Sequence, residues 1–315
     1  MPAISSNLTD YDLYSYFYTL VRQIPAGKVS TYGALARALG DVAAARACGY
    51  MLSINPDPED TPCYRVVRST GEVWKYTHPL GIDEKVRRLN RDGLEISDGK
   101  VSDFEDVLFD HFLTEYPLRK MKKEQEKMAP AVRLEDDFPE RGVAAVDVSY
   151  DDHFGYGAIV KDVDGEIEVG RTVMPVTFPY IPGYLSYREY KFIEELARGF
   201  EGILLVDGNG YLHPRGIGLA SFAGIMLDIP TIGVAKSILT GKTDGRWIIN
   251  NGARSAYIMN KRTIVSPGNR ITLDSSVEFL GNLYGERYPE LLRMAHNETV
   301  KLRNTVKREI NQQVP

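Results

Sequence analysis

Residues 143–150 read VAAVDVSY and residues 203–208 read ILLVDG. Each is a short run of apolar, largely β-branched residues that carries one aspartate, which is the pattern of a buried strand. A carboxylate inside or at the end of such a strand is costly to bury unless a cation or a paired group meets it. Reading outward, GYGAIVKDV follows the first run, Asp164-Gly165 supplies a turn, and EIEVGRTVMPV continues the antiparallel series. After ILLVDG come a helical stretch RGIGLASFAGIML, a strand TIGVAK and a closing helix from Pro289. Antiparallel strands succeeded by alternating strand and helix predict a mixed sheet with helices packed on it.

This sheet occupies only part of the chain. At 315 residues with 43% hydrophobic content, the protein is long enough for two domains with ordinary globular cores. Near the N-terminus, apolar residues at helical spacing (Tyr11, Leu13, Tyr14, Phe17, Leu20, Val21) are broken by Ile24-Pro25-Ala26-Gly27. Ser30-Thr31 then reads as an N-cap for YGALARAL, which Gly40 ends, and Asp41 opens a second short helix. Two short helices joined through Gly-Asp make a helix-turn-helix candidate. Between Asp103 and Glu140 the sequence turns charged, with one helix in TEYPLRKMKKEQEKMAPAV. The expected division is therefore 1–108, a small helical domain, and 109–315, the sheet domain.

Composition excludes several function classes. No apolar run is long enough to span a bilayer, and PAISSNLTD after Met1 is not a basic-then-apolar leader, so the expectation is a soluble cytoplasmic protein without a membrane partner. Two cysteines, Cys48 and Cys63, make neither a disulfide framework nor a zinc spacing. A net charge of −5 argues against indiscriminate polyanion binding while leaving room for local basic patches such as KVRRLNR at 85–91, whose plain reading is a solvated helix face.

Within the sheet domain, Asp147 and Asp207 lie on strands, Glu189 in SYREY offers a third carboxylate, and His296 in RMAHNET a fourth donor. Oxygen-rich donors favour Mg²⁺, with Mn²⁺ as a substitute, over zinc. Such a set can activate water and stabilise a departing phosphate oxygen. From spacing alone a second reading stands beside it, in which the aspartates cap turns and Glu189 pairs with Arg188.

The text around these acids separates the two. VDVSY, FPYIPGYLSYRE, VDGNGYLHPRGIGLAS, TIGVAKSILTG, VSPGN and PELLRMAH, in that order over roughly residues 115 to 310, resemble endonuclease V. The resemblance implies a ribonuclease H-like fold and Mg²⁺-dependent cleavage of the second phosphodiester 3′ of deoxyinosine in DNA. By the same resemblance Asp147, Glu189, Asp207 and His296 match the metal-site motif, Lys236 lies near the scissile phosphate, and His213 is a further active-site histidine. Pro179, Tyr180, Ile181 and Pro182 match a strand-separating wedge, and flanking prolines would stiffen its aromatic-apolar tip. Gly183, Leu185, Gly208, Gly210 and Leu219 fall at positions of the pocket for the expelled base, where glycines let main chain approach a ligand. Asn209 and Asn269 stand where the family often has histidine, which predicts altered rate or substrate preference.

IPAGKVSTYGALARALG, AAARACGYML, INP and TPCYRVVRSTGEV, over roughly residues 10 to 100, resemble the DNA-binding half of alkylguanine-DNA alkyltransferases and of alkyltransferase-like proteins. The resemblance implies that Tyr32 presses on a phosphate beside a flipped nucleotide, that Arg46 enters the stack in its place, that Asn55 supports the turn to the cysteine loop, and that Arg65 belongs to the same DNA-binding set. Alanines around Arg46 make that helix slim enough for a minor groove. In the family the acceptor motif is PCHR, where the histidine draws a proton from the cysteine and a glutamate orients it. This chain has Tyr64 and Asp92 instead. A tyrosine with a free pKa near 10 is a poor base, so Cys63, the alkyl-acceptor candidate, is expected to be poorly activated, with His78 as a remote substitute. The partner expected from both halves is damaged DNA carrying deoxyinosine or alkylated guanine, with RNA as an alternative substrate. Alternatives to the nuclease reading are an alkyltransferase with a tethered nuclease, a non-catalytic damage-binding protein and an inosine-specific ribonuclease.

Overall fold

The structure, a computed structural model, describes residues 9–139 and 142–313. The chain divides into two compact units: Asp10–Lys123 together with Thr177–Pro182, and Glu124–Val176 together with the chain from Gly183 onward.

The first unit is helical. Helix α1 spans Leu13–Val21, capped by Asp12, whose carboxylate accepts the Ser15 N–H at 3.0 Å. Thr31 caps α2 (Tyr32–Leu39), with its hydroxyl accepting the Ala34 N–H at 3.0 Å, and Gly40 ends it in the left-handed conformation. A 3₁₀ turn at Val42–Ala44 leads into α3 (Ala45–Ser53). The expected helix-turn-helix is thus present. Strands β1 (Ser30–Thr31) and β2 (Val66–Val67) pair in parallel. Helix α4 (Gly81–Arg91), a hairpin of β3 (Ile96–Ser97) and β4 (Lys100–Val101), the one-turn helix α5 (Phe104–Val107) and the first residues of α6 (Pro117–Met128), whose chain from Glu124 belongs to the second unit, follow.

The second unit is built on one nine-stranded sheet. Three antiparallel strands, β5 (Val143–Tyr150), β6 (Phe154–Val163) and β7 (Glu166–Pro175), match the sequence reading closely. Then come α7 (Leu185–Ala197), β8 (Ile203–Asp207), α8 (Leu219–Leu227) and β9 (Thr231–Ala235). Four further strands, β10 (Lys242–Asp244), β11 (Trp247–Asn250), β12 (Ala253–Asn260) and β13 (Thr263–Asn269), were not anticipated. Helices α9 (Leu273–Tyr284) and α10 (Glu290–Gln313) close the chain. The strand order is β10-β11-β12-β13-β9-β8-β5-β6-β7, with β5, β8 and β9 mutually parallel at the centre.

Period-two alternation sorts the core. Ala144 and Val146 of β5 join Leu204 and Val206 of β8 under α7 and α8, whereas Ala145, Ile203 and Leu205 face Leu280 of α9 and Leu292 of α10. Asp147 and Asp207, two residues beyond Ala145 and Leu205, therefore project on the α10 side at the carboxyl ends of parallel strands, where open α/β sheets place their sites. The loop after β8 packs main chain on main chain: a side chain at Gly233 of β9 would fall on the Gly210 nitrogen and the Gly208 oxygen. Gly233→Ala should accordingly cost about 1–3 kcal/mol in urea unfolding, and a loss under about 0.5 kcal/mol would show that the loop can yield.

Candidate active sites

In the second unit the β5–β8 pairing ends at Val146 opposite Val206, so the next residues, Asp147 and Asp207, stand side by side. The Asp147 carboxylate receives His296 Nδ1 from α10 at 2.9 Å. Because a carboxylate only accepts, that nitrogen carries the proton and Nε2 is left for another partner. Lys236, just past β9, places Nζ 2.5 Å from Asp207 Oδ2 and 5.4 Å from the centre of the Tyr288 ring. Glu189 arrives from α7 on the opposite face and is buried. Burial, then the nearby charge of Asp147, push its carboxyl up to about 8, and Asp147 is itself raised by burial and by Asp207.

Among the described residues, no group of three or more His, Cys, Asp or Glu side chains has converged into a ready ion-binding cluster. Each aspartate is instead met by a basic side chain of the protein, Lys236 or His296. The donor chemistry nonetheless fits a divalent cation: the charges of Asp147 and Asp207 raise the proton affinity of Glu189, that of Asp207 raises Asp147, and positive charge among them relieves this repulsion.

His213 is buried, and its pKa is lowered to about 3 by burial and by Arg215. Its Nδ1 accepts the Arg215 N–H at 3.3 Å, so Nε2 bears the proton and donates to the Gly183 carbonyl at 3.2 Å. Both nitrogens are committed to holding the loop. Of the expected pocket positions, Gly208, Leu185 and Leu219 adjoin, Gly210 packs against Pro267, and Gly183 against Arg215. Asn269 is a structural residue, donating to Gly224 O at 3.0 Å and accepting the Arg133 N–H at 3.0 Å. The side-chain oxygen of Asn209 is buried without a protein partner.

In the expected wedge, Tyr180 is 58% exposed while Ile181 is fully buried. Pro179 is buried and Pro182 exposed. This segment belongs to the first unit, where Thr177 O accepts the Leu13 N–H at 2.9 Å.

The first unit holds a cavity of about 420 Å³ lined by Tyr32, Arg46, Cys63, Arg68, Trp74 and Lys85 among others. Arg46 is exposed on α3. Asn55 braces the cysteine loop, donating to Thr61 O at 3.0 Å and accepting the Asp57 N–H at 3.1 Å. Arg65 points inward, bonding Asp92 at 2.6 Å and Ile24 O at 2.8 Å. Tyr64 donates to Asp92 at 3.1 Å, and burial raises its pKa, so the proton stays on the phenol. His78 is tied to its own turn by the Leu80 N–H and stacks on Tyr76. The residue that sequence reasoning missed is Lys85. It is 1% exposed, donates to Val66 O at 2.6 Å and Trp74 O at 3.0 Å, and is brought down to about 8 by burial. Its place at the start of a basic run disguised it.

Comparison with known proteins gives the class, a nuclease joined to a DNA-binding helical unit. Residues 126–297 match the Endonuclease V family, and residues 12–94 match the 6-O-methylguanine DNA methyltransferase DNA-binding domain. The chain belongs to the endonuclease V family, in a form fused to that DNA-binding domain. A protein of Picrophilus torridus named bifunctional methyltransferase/endonuclease is 50% identical over 292 residues, covering 93% of this chain and 97% of that one. The endonuclease V structure from Bacillus subtilis is 27% identical with a TM-score of 0.54, covering 61% of this chain and 94% of its own. That of Ciona intestinalis, 21% identical with a TM-score of 0.55, covers 61% of this chain and 100% of its own; it was solved with a 24mer DNA containing an inosine followed by a ribo-adenosine. No helix among the described residues is long and apolar enough to cross a membrane.

The raised carboxyl of Glu189 has a measurable consequence. An acid whose pKa rises on folding binds its proton more tightly in the folded chain, so its contribution is full below the ordinary 4.5 and is lost as pH climbs through about 8. The Tm of EDTA-treated protein should fall across that interval, and Glu189→Gln should flatten the decline.

Proposed function

We propose that the protein is a DNA repair endonuclease that hydrolyses the second phosphodiester 3′ of deoxyinosine in DNA, with Mg²⁺ as cofactor and Mn²⁺ as substitute. Residues 109–315 form the nuclease half and residues 1–108 a nucleotide-flipping DNA-binding half. The observation that carries the reading is Asp147 and Asp207 side by side at the ends of parallel strands, their charges raising the proton affinity of Glu189 on α7, with Lys236 beside Asp207.

When bound, a divalent ion supplies Lewis-acid stabilisation and an acidified water. Asp147, Asp207 and Glu189 would hold it, with His296 adding a ligand or orienting Asp147. The Glu189 proton must leave for that carboxylate to serve. The ammonium of Lys236 is half-exposed beside Asp207 and offsets charge that develops on the phosphate. Tyr180 on its proline-flanked tip enters the duplex as the base leaves the stack, and Gly183, Leu185, Gly208, Gly210 and Leu219 enclose that base.

A second reading is favoured by Lys85. With a pKa of about 8, a minor fraction of Lys85 is neutral near pH 7, and in that form, with two N–H groups engaged by carbonyls, it has a lone pair in the cavity it shares with Cys63 to take the thiol proton. The sulfur then bonds to the alkyl carbon of an O6-alkylguanine, the carbon–oxygen bond breaks, and its electron pair leaves with the guanine, which takes up a proton. Tyr32 and Arg46 would hold the nucleotide out of the stack.

A duplex with one deoxyinosine, incubated with Mg²⁺, should be nicked one nucleotide beyond the lesion, EDTA should stop the reaction, and Asp147→Ala should lower the rate about 100- to 1000-fold. Tight binding without nicking would leave only a damage-binding role, and faster cleavage of a matched inosine RNA would make the enzyme a ribonuclease. For the second reading, O6-methylguanine DNA should add one methyl group to the intact mass, blocked by Cys63→Ser and slowed about 100-fold by Lys85→Met. An unchanged mass would eliminate alkyl transfer.

A further inference from the structure

Gln125 lies in KMKKEQEKM, a stretch whose charge reads as connection between domains, yet it is 1% exposed. Its Nε2 donates to the Gly183 carbonyl at 3.3 Å and to Ser186 Oγ at 3.2 Å, and its Oε1 accepts Arg215 Nε at 2.8 Å. Arg215 Nη2 donates to the same Gly183 carbonyl, and its guanidinium lies 4.8 Å from the centre of the Tyr184 ring. With His213 added, three side chains from two segments distant in sequence converge on one carbonyl oxygen, which has only two lone pairs. An arginine meant for a phosphate would keep its fork turned outward, whereas Arg215 spends Nε and one Nη inward.

The carbonyl so held is at a critical place. Gly183 has φ of +82°, a conformation open to few residues other than glycine. Two residues later α7 begins, and Glu189 is its fifth residue. Rotation of the Gly183 peptide would shift the entry of α7 and with it the carboxylate.

We propose that Gln125 and Arg215 are positioning residues of the nuclease site, pinning the Gly183 carbonyl so that α7 presents Glu189 and the Gly183 main chain forms a wall of the base pocket. The proposal rests on the deoxyinosine nuclease reading. A misplacement of about 1 Å can cost about 100-fold in rate. Gln125→Met keeps length and removes both polar ends. It should lower kcat on the deoxyinosine duplex about 10- to 100-fold and reduce preference for deoxyinosine over deoxyadenosine about tenfold, with KM little changed. Arg215→Lys keeps the charge and loses the fork, so it should have the same effect. The double variant should be no worse than the poorer single one, because both act through one carbonyl.

Gln125→Glu still accepts from Arg215 and offers nothing to Gly183, and should fall between wild type and Gln125→Met. Hydrogen exchange over residues 183–189 reads the positioning directly, without depending on nicking, and should quicken at least about tenfold in Gln125→Met. Exchange unchanged in the folded variant, or losses that multiply in the double variant, would overturn the proposal. Failure of the intact protein to nick deoxyinosine would instead refute the functional reading, and the exchange result would still decide the positioning role.

Discussion

The parallel register of β5 and β8 is the constraint to which the second unit is fitted. Pairing that ends at Val146 and Val206 sets two aspartates next to each other at strand ends, and α7 then delivers Glu189 to the same place. Close carboxylates repel, and burial raises the cost of each charge. The protein accommodates them in three ways: a lysine on Asp207, a histidine on Asp147, and a proton retained on Glu189. Each is reversible, and each would be displaced or released by the arrival of a divalent cation. A group of acids that repels itself is thereby kept folded.

In the first unit the polar side chains that follow Cys63 are paired with Asp92. Tyr64 donates to Asp92, and burial keeps the proton on its phenol. Lys85 lines the same cavity as Cys63, and burial has brought its pKa down to about 8. Arg65, bound to Asp92 and to the Ile24 carbonyl, stabilises the loop from within.

Much of this was legible in sequence. The strands from 143 to 175 alternate cleanly, and the acids and glycines around Asp207 sit in ordered motifs that carry the family. Residues 242–269 were harder, because WIIN, ARSAYIMN and TIVSPGN are short and interrupted by Gly and Asn, so period two hardly establishes itself. Lys85 and Gln125 were hidden for a different reason. Both lie in charged helices, where the default expectation for a polar side chain is solvent, and only tertiary packing shows that one polar residue of each run has turned inward. Arg65 and His213 show the converse: residues whose type suggests contact with DNA are engaged by backbone carbonyls of segments distant in sequence, Ile24 and Gly183.

The close main-chain packing after β8 has a further implication. Around Gly210, Gly218 and Gly233 there is no space for even one added carbon, because neighbouring backbone atoms fill it, so the packing there is peptide plane on peptide plane. A recess lined by side chains can drift gradually, one methylene at a time, as a lineage explores new substrates. One lined by peptide planes has no such intermediate steps. Its shape is inherited whole, and any broadening of what it admits must come from residues outside it that set the tilt of those planes.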